Sequence, residues 1–213
     1  MGRSLFWLVI ECSDADGIAA ELGVKRTGKA GAISDFALMS YPLPEGRALL
    51  VSKHFDEPLF TGKRLAKLSQ RGRIVAARME EHVMVSSCAA WAGGRKIWSV
   101  THDSEKSPRH LAVTGKVPED FAPLRQAALA AQENEDSTDA EVDHVFDLPL
   151  HYARAQTGLD VEENFGAAEN SFQELDIGFW KRAWRATFWW RLLIGLGVGL
   201  YLAGWIARKL GWQ

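Results

Sequence analysis

The sequence predicts an α+β protein with a mixed or antiparallel sheet, followed by a single transmembrane helix at the C-terminal end. Three observations point there. Short apolar runs of strand length alternate with amphipathic stretches of helix length over the first 158 residues. Two glycines, Gly93 and Gly94, separate two such runs as a tight hairpin turn does. The last 35 residues hold no acidic residue, six basic ones and six of the nine tryptophans.

Composition bounds the class. The chain has 213 residues, with 25 Lys and Arg against 27 Asp and Glu, 47% apolar and 24% charged. This excludes a disordered chain, a collagen-like chain and a polytopic membrane protein. The net charge of −2 averages two unlike parts. Residues 1–178 carry 19 basic and 27 acidic residues, a balance of −8, and residues 179–213 carry +6. Two cysteines, Cys12 and Cys88, are too few for a disulfide-dense secreted scaffold or a four-ligand zinc site.

Residues 4–11 (SLFWLVIE) form a short, continuous apolar run, the pattern of a strand buried on both faces. Asp14 or Asp16 caps a helix that reaches Leu22 and stops at Gly23. Residues 35–41 and 48–54 are two strands joined through PLPEGR. Thr61 opens a helix ending near Gly72, and residues 73–79 are the next strand. This β-α-β-β-α-β order fits a ferredoxin-like sheet with its helices on one face.

The hairpin follows, with strands at 83–92 and 95–103. A two-residue turn pairs Trp91 with Lys96, Ala89 with Trp98, Ser87 with Val100 and Val85 with His102. That set makes the core face, and Ser86, Cys88, Ala90, Ile97, Ser99 and Thr101 make the other. Pro118 or Asp120 starts a helix through Gln132. Residues 133–143 carry six acids in eleven residues and read as a solvated loop. Val145 and Phe146 form a short strand, and residues 148–156 a helix stopped by Gly158. The organisation expected is a soluble domain over 1–158, an acidic linker over 159–178 and a basic, Trp-rich anchor over 179–213.

Residues 192–207 (LLIGLGVGLYLAGWIA) hold no charge. Extended back to Thr187, the stretch measures about 32 Å as a helix, enough for a hydrocarbon core of about 30 Å. Arg191 lies near one end, where its stem stays in hydrocarbon and its guanidinium reaches the headgroups. Trp184, Trp189, Trp190 and Trp205 stand at the borders, with Arg208 beyond. Residues 179–191 read as an interfacial helix leading into the span, through Trp180, Trp184 and Phe188 at i, i+4 spacing. The competing reading is a buried core helix. Four basic residues before the span against two after it favour a cytosolic N-terminal domain. No export signal opposes this, because the run from Leu5 to Ile10 is too short. Gly195, Gly199 and Ala203 place small side chains on one face, where a second copy of the helix can approach. Glycine and alanine are also common in membrane helices for no such reason.

Catalytic signals are sparse. Residues 23–30 (GVKRTGKA) resemble a phosphate loop, but Ala30 replaces the magnesium-binding hydroxyl and a helix precedes the motif, so a flexible basic loop is expected. The six histidines show no HExxH or paired spacing, so neither a metal nor a cofactor is expected. His102 and Asp103, in the polar stretch 101–110 with Ser104 and His110, are the candidate general base and carboxylate. The hairpin register turns His102 toward the core, which favours a structural histidine. His144 and His151, beside Asp143 and Asp147, read the same way. No G-x-S-x-G elbow is present, and the two cysteines read as buried small residues.

Six basic residues between 63 and 78 offer a surface for nucleic acid or anionic lipid, or simply a solvated face; the balance of −8 opposes nucleic acid. The acidic stretches 133–143 and 160–176 suit a basic protein partner or serve solubility.

The expectation is a cytosolic α+β domain held at the membrane, without catalytic activity, that binds another protein as inhibitory or immunity-type proteins do. The alternatives are a membrane-tethered enzyme using loop 101–110 and nucleic-acid or lipid binding through 63–78. The partners expected are the bilayer, a protein and a second copy of the membrane helix.

Overall fold

A strand with apolar residues on both sides needs cover on both sides. Strand β1 (Ser4–Ile10) meets that condition: Phe6, Trp7, Leu8, Val9 and Ile10 are all buried. The computed structural model describes residues 3–135, 142–165 and 171–178, and β1 is the central strand of a nine-stranded sheet. The other strands are β2 (Lys25–Gly31), β3 (Leu38–Leu43), β4 (Arg47–Ser52), β5 (Ile74–Glu80), β6 (Val85–Ala92), β7 (Arg95–Asp103), β8 (Ala112–Gly115) and β9 (Phe172–Asp176). Their order is β2-β9-β3-β4-β1-β5-β6-β7-β8, and every neighbouring pair is antiparallel. The protein is therefore α+β with a large antiparallel sheet.

Helices cover both faces, where the sequence reading put them on one. Against one face lie α1 (Ala15–Leu22), a 3-10 turn (Pro58–Phe60) and α2 (Gly62–Leu68). The Phe60 ring meets Phe6 there at 4.7 Å. On the other face lie α3 (Phe121–Glu135), α4 (His144–Thr157) and α5 (Val161–Phe165). Tyr152 of α4 is wholly buried, 5.0 Å from both the Trp98 and the Phe121 ring. Local chemistry sets the ends of α1. Asp14 accepts a hydrogen bond from the Gly17 amide, and Gly23 closes the helix in the left-handed conformation.

Several sequence expectations are corrected. Residues 159–178 are not a linker: they contain α5 and β9, and β9 lies inside the sheet between β2 and β3. Phe172 is wholly buried, with the Tyr41 and Phe165 rings at 5.1 and 5.3 Å. Most of residues 23–30 form edge strand β2, paired with β9, and not a loop. Val145 and Phe146 belong to α4, because Asp143 caps the helix just before them.

The hairpin turns at Gly93 and Gly94 as expected, but a bulge shifts its register. Trp91 pairs with Lys96 and Ala90 with Trp98, so Ile97 is the extra residue. Past it, Ala90, Cys88 and Ser86 share a face with Trp98, Val100 and His102. Ala89 and Ser87 therefore turn to the opposite face with Ser99 and Thr101. Strand β8, absent from the sequence reading, extends the sheet beyond β7. Among the described residues no helix is long and apolar enough to cross a membrane. The anchor residues Trp184, Trp189, Trp190, Arg191, Trp205 and Arg208, and Gly195, Gly199 and Ala203, lie outside the described residues.

Candidate functional site

Loop 101–110 does not bring its two candidates together. His102, at the end of β7, faces the core and is wholly buried. Its Nδ1 lies 2.9 Å from the His110 carbonyl oxygen. A carbonyl only accepts, so Nδ1 carries a proton. Nε2 has no hydrogen-bond partner and lies 3.8 Å from Asp143 Oδ2. Asp103 is bonded instead to Lys106 at 3.0 Å, and that hydrogen bond holds its carboxyl below the usual range. Ser104 donates to the Val83 carbonyl. A general base must reach the proton it takes, and in this arrangement the imidazole is sealed under Phe146, whose ring meets it edge-on at 6.1 Å.

Asp143 is a helix cap. Its Oδ1 accepts from the Val145 and Phe146 amides at 3.0 and 2.8 Å. His144 pairs with Glu135 at 3.6 Å. Asp147 sits half-buried beside His151, and burial raises its carboxyl. Burial likewise pushes the Cys88 thiol up, which keeps it a neutral core residue. Among the described residues no three His, Cys, Asp or Glu side chains come together to hold a metal ion.

The charged stretches are largely engaged within the fold. Arg64 donates to the Leu22 carbonyl, Lys67 meets Glu21 at 2.7 Å, Arg71 meets Asp14 at 3.1 Å and Arg73 meets Glu11 at 3.4 Å. These pairs tie α2 and the start of β5 to α1 and the residues before it, and reduce the field that residues 63–78 offer to a phosphate backbone. The acidic stretch 160–176 is similarly engaged: Asp160 and Glu163 pair with Arg154, and Glu174 with Lys29.

The sixth basic residue, Arg78, lines a cavity of about 250 Å³ on the face that carries α1 and α2. Its Nε donates to Ser87 Oγ at 3.0 Å, its Nη1 meets Asp56 at 3.4 Å, and the guanidinium lies 4.5 Å from the Phe55 ring centre. Burial lowers its pKa, because the charge has lost hydration. Small side chains make the cavity floor: Ser87 and Ala89 of β6, Ser99 and Thr101 of β7. Phe60 and Leu65 line it from the helical side, with Trp91 and Lys96 near the hairpin turn. The sequence reading missed this site. The alternation of Ser87, Ala89, Ser99 and Thr101 was legible, but the unforeseen bulge at Ile97 decides which face they share.

Comparison with protein-family models, with curated proteins and with solved structures finds no match. The fold class is thus α+β with an antiparallel sheet, and function rests on the residues themselves.

Proposed function

We propose that the protein is a membrane-tethered, non-catalytic binding module whose α+β domain faces the cytosol. The observation that carries this is the split in the chain: −8 over residues 1–178, then +6, no acid and six tryptophans over residues 179–213. Such a tail suits a bilayer through its uncharged centre, aromatic borders and basic flanks. Helix α3 supports the binding role. Phe121 is its one buried residue, and eight of its fifteen are exposed, Ala122, Ala127 and Ala130 among them. Alanines on an exposed face let a partner helix approach closely. Self-association through Gly195, Gly199 and Ala203 stays part of the same proposal. For the domain, the order β3-β4-β1-β5, with α1 and α2 on one face, supports reading β1, α1, β3, β4, α2 and β5 as a ferredoxin-like core. That core is extended by β2 and β9 on one side and by β6 to β8 on the other.

The test is fractionation of the full chain and of a chain ending at Gly178. The full chain is expected in the membrane pellet after alkaline carbonate washing, and the shortened chain in the supernatant. A full chain released by carbonate overturns the anchor. A protein co-purifying with the full chain, and lost when Ala122 and Ala130 are both changed to Glu, supports docking on α3. Retention of that protein by the double variant removes α3 as its surface.

A further inference from the structure

The Arg78 cavity lies on the face of the sheet opposite α3 and α4, and its chemistry suits a small molecule. Three features combine there. The first is a cation already partly desolvated. Arg78 is held in place by Ser87, Asp56 and the Phe55 ring, so little side-chain freedom remains to be lost when a ligand binds. The second is a floor of hydroxyl and methyl groups, small enough to leave a hollow between the sheet and the helical side. The third is an aromatic wall, with Phe60 and Trp91 both lining the space. Two larger cavities lack this combination: one of about 520 Å³ is lined by α3 residues alone, and one of about 380 Å³ beside α1 is lined mainly by aliphatic side chains such as Ile18, Leu43, Leu50 and Leu175.

We propose that this cavity binds a small organic oxyanion, with a carboxylate or phosphate on the Arg78 guanidinium and a flat apolar body over Ala89 between Phe60 and Trp91. The guanidinium presents a planar fork that matches either oxyanion. Asp56 holds one arm of that fork now, but its side chain is 84% exposed, so an arriving anion displaces a well-hydrated competitor. Lys96 stands four residues along β6 from Ser87 in cross-strand terms, about 13 Å away. It therefore adds long-range attraction and no contact with the same group. The volume falls below the usual 300–1,000 Å³ of sites for drug-sized ligands, which limits the body to about one ring.

The experiment titrates the full chain, in nonionic detergent, with phenylphosphate, benzoate, inorganic phosphate and cyclohexanol. It follows the tryptophan fluorescence that disappears in a Trp91→Phe variant. Phenylphosphate or benzoate is expected to bind, and the stronger of the two identifies the headgroup. Arg78→Gln is expected to weaken binding by about tenfold or more, and Ala89→Leu to block it by filling the floor. Because Arg78 also supports the local fold, Asp56→Asn is the deciding variant. It leaves the arginine in place, removes the competing carboxylate, and is expected to tighten binding several-fold. Absence of binding by both aryl anions up to about 10 mM overturns the proposal. So does an Asp56→Asn chain that binds no more tightly than the parent, or cyclohexanol binding as well as the anions. Inorganic phosphate binding as tightly as phenylphosphate overturns the part assigned to the apolar body.

Discussion

The Nε2 atom of His102 lies 3.8 Å from Oδ2 of Asp143, the residue that caps helix α4. The imidazole spends its Nδ1 proton on the His110 carbonyl, and the carboxylate spends its other oxygen on two helix amides. One buried ring thus stands between the loop after β7 and the start of α4. Nearby, Ser86 Oγ donates to the Phe146 carbonyl and ties β6 to the same turn of the helix. A His102→Ala variant removes a wholly buried side chain and leaves the His110 carbonyl without its donor. We expect a loss of about 2–4 kcal/mol in unfolding free energy, measured by denaturant titration. Asp143→Ala, which removes the cap, is expected to cost about 1–2 kcal/mol. Binding at the Arg78 cavity should survive both changes, since it lies on the opposite face of the sheet. A His102→Ala chain as stable as the parent would contradict the burial of the ring.

The second prediction concerns where the domain ends. A chain cut after Gly158 loses α5 and β9, so β2 loses the strand it pairs with and β3 becomes an edge. It also loses Phe172, whose removal alone is worth about 3–5 kcal/mol at a buried aromatic site. Against a typical total of about 5–15 kcal/mol, the 1–158 chain is expected to lose cooperative unfolding. A chain ending at Gly178 keeps every described strand and is expected to unfold in one transition. Circular dichroism during heating separates the two outcomes; a cooperative melt for 1–158 at the temperature of 1–178 would place the boundary back at Gly158.

How much of this was legible depended on whether a residue's signal was local. Residues 4–11 announced a strand buried on both faces because an unbroken apolar run has few other uses. Asp14 and Gly23 marked the ends of α1 because capping acts within a few residues. Strand β9 gave no such signal. In FQELD, Phe172 and Leu175 fall on opposite faces, so no alternation shows, and pairing with β2 and β3 across the chain is what makes it a strand. Strand β8 owes its place to β7 in the same way. The hairpin sits between these cases. Its turn was readable from Gly93 and Gly94, while the extra residue Ile97 was not, and a one-residue slip moves side chains to the other face. That slip is why the hydroxyl floor of the Arg78 cavity stayed hidden, while His102, past the bulge on β7, still faced the core as expected.

The third prediction tests the bulge. Gly115, at the end of β8, adopts φ of +75°, and a Cβ built on it would stand 2.1 Å from the Ile97 carbonyl oxygen and 2.9 Å from the Trp98 Cα. Both contacts are with backbone, so no side chain can move aside. Gly115→Ala is expected to push β8 away from β7 and cost about 1–3 kcal/mol, from left-handed strain and from the lost pairing. Amide hydrogen exchange should speed up in β8 and the neighbouring part of β7, with β1 and β5 unchanged. Unaltered protection of Val113 and Thr114 would show that the close approach is absent.

The last prediction concerns pH. Asp147 lies in the first turn of α4, where burial raises its carboxyl above the ordinary value and His151 only partly opposes the shift. Its folded form therefore holds a proton at a pH where the unfolded chain has already released it. The stability this gives is fully present below the unfolded value and is lost as pH rises through the raised folded value. At neutral pH the ionised carboxylate is a burden on the fold, which an amide of the same shape does not impose. Asp147→Asn is expected to melt higher than the parent near about pH 7, by an amount below ~1 kcal/mol because the group is only half-buried. The difference should close near about pH 3, where the parent side chain is protonated as well. Melting curves across that range decide it. A variant less stable at neutral pH would mean that the helix N-terminus and His151 outweigh burial, with the carboxylate supporting α4 after all.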